Sequence, residues 1–161
     1  MTLNPTKNSL SADIRSKAIA LLQARLADCA DLQTQTKQAH WNVKGGNFIA
    51  LHKLFDEIYG DVGEYVDEIA ERGVALGGTM HGTARSIAAK SSLPEYPLEI
   101  KGWREHATAF SGALATFGKS ARAAIDEATQ FGDADTADLF TGISRGIDKW
   151  LWMVEAHLQD G

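Results

Sequence analysis

Proline and cysteine are both nearly missing from this chain of 161 residues. Its three prolines stand at Pro5, Pro94 and Pro97, so two long stretches lack the residue that most effectively breaks a helix. The single cysteine, Cys29, excludes an internal disulfide, and its neighbours Leu22, Leu26 and Leu32 mark it as a small buried apolar residue of a reducing compartment. No stretch approaches the roughly 18 uncharged apolar residues of a membrane span, and the opening MTLNPTKNSLSADIR has no apolar signal core. These absences predict a soluble, cytoplasmic protein with no membrane partner. Basic excess is missing as well. The net charge of −5 repels nucleic acid overall, so any DNA affinity must come from a local basic segment. Strict apolar and polar alternation, the mark of a half-buried strand, occurs nowhere.

Helical periodicity fills the chain instead. Leu22, Leu26, Cys29 and Thr36 share one stripe, and His40 lies about five whole turns beyond Leu22, which predicts a helix over 11–40 that Gly45-Gly46 stops. Phe48, Leu51, Leu54, Phe55, Ile58, Val62 and Ile69 predict a second over 47–76, ended by Gly77-Gly78. A short helix is expected over 84–90. Trp103, Ala107, Phe110, Leu114, Phe117, Ala121 and Ala124 recur at bundle spacing, and Leu139, Ile143, Ile147, Leu151, Val154 and Leu158 form the last stripe. Residues 1–10 read as a flexible tail and 11–161 as one all-α domain, a ferritin-like four-helix bundle with a short extra helix in its long second connection.

The chemistry concentrates on the second helix. At about 100° per residue, Asp56, Asp67 and Glu71 fall about 40°, 60° and 100° from His52, so one face carries a nitrogen donor and three carboxylates. Such a set suits iron, manganese or zinc. Either i, i+4 pair alone reads as an ordinary pair on a solvated face. Asp56 and Asp67 are about 16 Å apart along the axis, too far for one site. An antiparallel copy of the helix would set its Asp67 and Glu71 opposite His52 and Asp56 across a two-fold axis between Gly60 and Gly63. Those glycines either allow the two backbones to approach or merely loosen the helix. His40, folded back by Gly45-Gly46, reaches the His52 end. This arrangement gives two sites per dimer, about 22 Å apart.

KQAHWN, GGNFIALH, LFDEI and DEIAERGVALGG resemble the signature of the Dps family, the DNA-protecting miniferritins of starved bacteria, over about residues 32–158. His40, His52, Asp56, Asp67 and Glu71 match that family's ferroxidase positions, and no Glu-x-x-His occurs, as an ordinary ferritin site would need. The resemblance implies a dodecameric hollow shell. It would bind Fe2+ at dimer interfaces, oxidise it preferentially with hydrogen peroxide, and store ferric mineral inside. Iron is then the substrate, and zinc or another divalent metal can occupy the same ligands. It also suggests Trp41 as an electron donor, against the alternative of a buried structural tryptophan. Asp135 and Asp138 would line a three-fold pore, although capping and dipole compensation suffice to explain Asp133, Asp135 and Asp138. His81, His106 and His157 follow no pattern and read as surface or supporting residues.

Some members of the family it resembles bind DNA through a lysine-rich flexible tail. Here the leader offers Lys7, Arg15 and Lys17, HLQDG ends the chain without a basic extension, and twelve copies carry about −60, so DNA binding is expected to be weak, with nucleoid association open. Two other readings are a shell that chiefly compacts DNA and a helical oligomer holding a structural metal or none.

Overall fold

The computed structural model describes residues 2–159 and contains five helices: α1 (Ala12–Asn42), α2 (Phe48–Ala75), α3 (Ala84–Lys90), α4 (Trp103–Phe131) and α5 (Ala134–Glu155). No strand occurs among the described residues. Met1 of the leader and Asp160 and Gly161 of the C-terminal HLQDG lie outside them.

Helix starts and stops follow local chemistry. Ser11 caps α1 by accepting from the Ile14 N–H at 3.3 Å, and Asp13 sits in the positive first turn. Asp133 caps α5 through the Thr136 N–H at 3.2 Å. The turns at 43–47 and 132–133 fold α1 onto α2 and α4 onto α5, giving two antiparallel hairpins that pack together as the expected four-helix bundle. Phe55, Phe110, Phe117 and Phe140 are fully buried between them, with Phe55 and Phe110 edge to face at 5.2 Å. Cys29 is enclosed as predicted, and burial pushes its thiol above the usual range.

The connection from 76 to 102 carries α3 and is laced to α1 by polar side chains. Asp28 accepts from the Ser92 N–H at 2.7 Å, Asp31 from the Ser91 hydroxyl at 2.6 Å, and Gln35 donates to the Pro94 carbonyl at 3.1 Å. Asp28 is fully buried, and its charge is balanced by Arg25 at 2.8 Å.

The leader, read from sequence as a flexible tail, makes specific contacts from Leu3 onward. The Asn4 N–H donates to the Gly77 carbonyl at 2.8 Å, Arg15 reaches the Leu10 and Leu76 carbonyls, and Leu3 and Leu10 pack against the core. Gly77 holds φ +91°, and a Cβ there would stand 2.7 Å from the Asn4 carbonyl oxygen.

Gly63 approaches α1 of its own chain, where a Cβ would meet Gln33 Nε2 at 2.6 Å, whereas a Cβ on Gly60 would meet open space. One of the two glycines on the expected axis therefore has a reason within the subunit.

Candidate metal centre

The turn between α1 and α2 builds the first half of the candidate site. Gly45, at φ +106°, lets the chain reverse beside Trp103, and the Phe48 N–H closes onto the Gly45 carbonyl at 3.0 Å. This reversal sets His40, in the last turn of α1, against His52, in the second turn of α2. Their rings stack with centroids 3.8 Å apart.

Each imidazole is locked by the other's backbone. His40 Nδ1 lies 2.7 Å from the His52 carbonyl oxygen, and His52 Nδ1 lies 2.9 Å from the His40 carbonyl oxygen. A carbonyl can only accept, so both Nδ1 atoms carry hydrogen, and in the neutral rings Nε2 keeps the lone pair. A metal-ligating histidine has this arrangement: one nitrogen tied to an oxygen acceptor, the other free to donate electrons. The His40 carbonyl belongs to the last turn of its helix, where carbonyls lack helical partners, so the His52 bond also satisfies a helix end. Phe48 flanks His52 at 5.2 Å between ring centres.

Asp56, one turn after His52, is exposed and lies 3.9 Å from His40 Nδ1. Its carboxylate is hydrogen-bonded to the Lys37 ammonium, which sits one turn before His40 on α1. That bond is the main cause holding the Asp56 carboxyl below the usual carboxylate range, with the charge of Lys37 adding to it. Lys37 also lies over the Tyr59 ring, 4.5 Å from its centre. Sequence reasoning missed Lys37. The available signal was its i, i+3 spacing from His40.

Asp67 and Glu71 are exposed further along α2. Neither side chain has a hydrogen bond or ion pair among the described residues. The structure thus joins His40, His52 and Asp56 at one end of α2 and leaves Asp67 and Glu71 at the other. Among the described residues, no three His, Cys, Asp or Glu side chains converge on one metal position. A single chain presents two unlike sets of donors. Imidazole nitrogen and carboxylate oxygen together fit Fe2+, Mn2+ or Zn2+.

Trp41 is 69 % exposed, which removes the buried structural tryptophan as its role within the subunit. It lines a groove of about 620 Å³ with Gln38, Leu93, Tyr96 and Leu98. At the start of α5, Asp135 and Asp138 are exposed, while Asp133 is buried. Asp133 accepts from Arg72 at 2.7 Å and from the Thr136 hydroxyl at 2.6 Å, and Asp135 lies 3.6 Å from the same guanidinium. Arg72, adjacent to Glu71, therefore ties the end of α2 to the α4–α5 turn. His106, read as a surface or supporting residue, is 1 % exposed and sits 2.8 Å from the Tyr96 hydroxyl through Nδ1. It is the i−4 neighbour of the buried Phe110, which was the clue to its burial. His81 is exposed and His157 half-buried.

Known proteins share this architecture and sequence. Residues 19–161 match the family model described as a ferritin-like domain. The chain is 41 % identical over 160 residues to the DNA protection during starvation protein of Agrobacterium fabrum, covering 99 % of both. It is 33 % identical to DNA protection during starvation protein 2 of Deinococcus radiodurans, with 89 % of this chain covered and 59 % of that one. Among solved structures, DpsC of Streptomyces coelicolor superposes with a TM-score of 0.94 at 28 % identity, covering 99 % of this chain and 94 % of that one. Mycobacterium smegmatis Dps superposes at 0.93 and 31 % identity, covering 100 % and 91 %. The helical bundle, the histidine-bearing turn and these likenesses together place the chain in the Dps family of ferritin-like proteins.

Proposed function

We propose that this protein is a Dps-type ferroxidase and iron store, oxidising Fe2+ with hydrogen peroxide at sites shared between two subunits. The observation that carries the reading is the reciprocal lock of His40 and His52, which leaves both Nε2 lone pairs for a metal, with the Asp56 carboxylate 3.9 Å from the His40 ring. Asp67 and Glu71 of a two-fold partner would complete the ligand set, since each chain holds them too far along α2 to do so itself. In the reaction, two Fe2+ ions give one electron each to one peroxide, its O–O bond breaks, and two protons complete two waters. The carboxylates favour the ferric product by charge, and pairwise electron transfer avoids releasing hydroxyl radical. Trp41, exposed and adjacent to His40, would supply an electron to stray oxidant.

Assembly follows from the surface. Trp41, Phe48, Ile49, Val74, Leu98 and Trp152 are large apolar side chains exposed on the single chain, which supports burial between copies in a dodecameric shell. Asp135 and Asp138 would then draw cations through a pore, and ferric mineral would collect inside. No described helix is long and apolar enough to cross a membrane. A role chiefly in DNA compaction is disfavoured by the leader: Arg15 is engaged by the Leu10 and Leu76 carbonyls and Lys17 by Asp13 at 2.7 Å. Weak, salt-sensitive DNA association remains compatible with Lys7 repeated around a shell.

The test is anaerobic Fe2+ loading followed by one peroxide pulse, recording ferric absorbance, peroxide consumed and radical trapped. Fast oxidation near one peroxide per two irons, lost in the His52→Ala plus Asp56→Ala variant, supports the reading. Equal rates and equal radical yield in both proteins overturn it.

A further inference from the structure

We infer that Lys37 is a built-in competitor for the metal: its ammonium occupies the Asp56 carboxylate, and an incoming cation binds by displacing it. This inference rests on the reading of His40, His52 and Asp56 as metal ligands. Lys37 and Asp56 come from different helices, α1 and α2, and meet only because the 43–47 turn folds one onto the other. The lysine side chain is 23 % exposed, so the packing of the hairpin holds it in place, whereas the Asp56 side chain is 57 % exposed and open to an arriving ion. Tyr59 lies one turn further along α2 from the Asp56 level, with its ring centre 4.5 Å from the ammonium. The ammonium thus touches the ring face while it binds Asp56, and cation–π attraction keeps a partner for the charge when the carboxylate turns to the metal.

The consequence for affinity is direct. Lysine and metal compete for one carboxylate, and a retained ammonium a few ångströms away repels a divalent ion even at the dielectric of water. Both effects weaken binding relative to a chain with a neutral side chain at 37. The repulsion grows with ionic charge, so a ferric product feels it more than the ferrous substrate. Lys37 thereby favours departure of the oxidised ion, and its return to Asp56 closes the cycle.

The experiment is an anaerobic Co2+ titration of the assembled protein, followed by the visible d–d absorption of the bound ion, for wild type, Lys37→Met, Lys37→Gln and Lys37→Arg, with His52→Ala plus Asp56→Ala as the site control. Thermal melts and sizing check that each variant is folded and assembled. The expected result is about tenfold tighter Co2+ binding for Met and for Gln, with Arg within about threefold of wild type. Unchanged or weaker binding in both neutral variants, while the site control loses Co2+, overturns the competitor role alone and makes Lys37 a positioning residue for Asp56. Retention of Co2+ by the site control overturns both the metal-site reading and this one.

Discussion

His40 and His52 exchange hydrogen bonds across a turn, each imidazole donating to the other's backbone carbonyl at 2.7 and 2.9 Å. The pair fixes ring orientation and closes the end of α1 at once, so losing either ring has two separable effects. His52→Ala leaves the His40 carbonyl to water and is expected to cost about 1 kcal/mol in urea unfolding. Co2+ binding in the same variant should fall far more than this modest destabilisation explains. Equal and small effects on both would mean the pair is only a helix staple.

His106 supplies a pH dependence with a definite sign. Burial holds its folded-state pKa below the ordinary histidine value, with Glu105 partly opposing. Below about pH 6.5 the unfolded chain therefore takes up a proton that the folded chain resists, and stability falls as pH drops from there toward the depressed value. Above pH 6.5 this contribution is constant. Urea midpoints measured from pH 8 to pH 5 should decline less steeply for His106→Gln than for wild type, and parallel curves would count against the burial argument.

Gly77 sits where the leader crosses the end of α2. Gly77→Ala combines a left-handed φ with a Cβ 2.7 Å from the Asn4 oxygen, and a loss of about 1 to 3 kcal/mol is expected. Gly60→Ala, with open space around it in the subunit, should be neutral or stabilising in any form that does not pair α2 with α2. Chemical denaturation of the two variants side by side checks the contrast.

Arg72 balances a buried carboxylate. Arg72→Met leaves Asp133 with Thr136 as its hydrogen-bond partner and should cost about 3 kcal/mol, most of it recovered by adding Asp133→Asn. A double-mutant cycle with additive losses would show that the two side chains act independently.

Much of this was legible from residue spacing. The positions of Pro5, Pro94 and Pro97 and the apolar stripes located all five helices to within a few residues, because bundle helices bury one face at a fixed period. His52, Asp56, Asp67 and Glu71 could be grouped by angle alone. The ring stacking of His40 on His52 could not, since it depends on the φ of Gly45 and the closing bond to Phe48. Lys37 meets Asp56 nineteen residues away, a contact set by hairpin register, and its i, i+3 spacing from His40 places it on the right face of α1 without naming that partner. Asp133 caps α5 as its position suggested, but its burial against Arg72 and that of His106 against Tyr96 were missed for a common reason. A polar side chain at a helix start looks solvent-facing in sequence, and only the packing of Tyr96 and Arg72 shows where its partner lies.

The split of donors along α2 has a genetic consequence. Each subunit offers a histidine end and a carboxylate end, so a site shared across a two-fold axis would draw unlike halves from two copies. On that reading a subunit lacking His52 and Asp56 should be inactive alone, and so should one lacking Asp67 and Glu71. Paired with each other, they form one site that keeps only His40 and a second assembled wholly from intact halves. Co-expression of the two dead variants should therefore restore ferrous oxidation in mixed assemblies, up to about half the wild-type sites per mixed dimer. Failure to complement in isolated hetero-assemblies would place all the ligands of a working site within one chain.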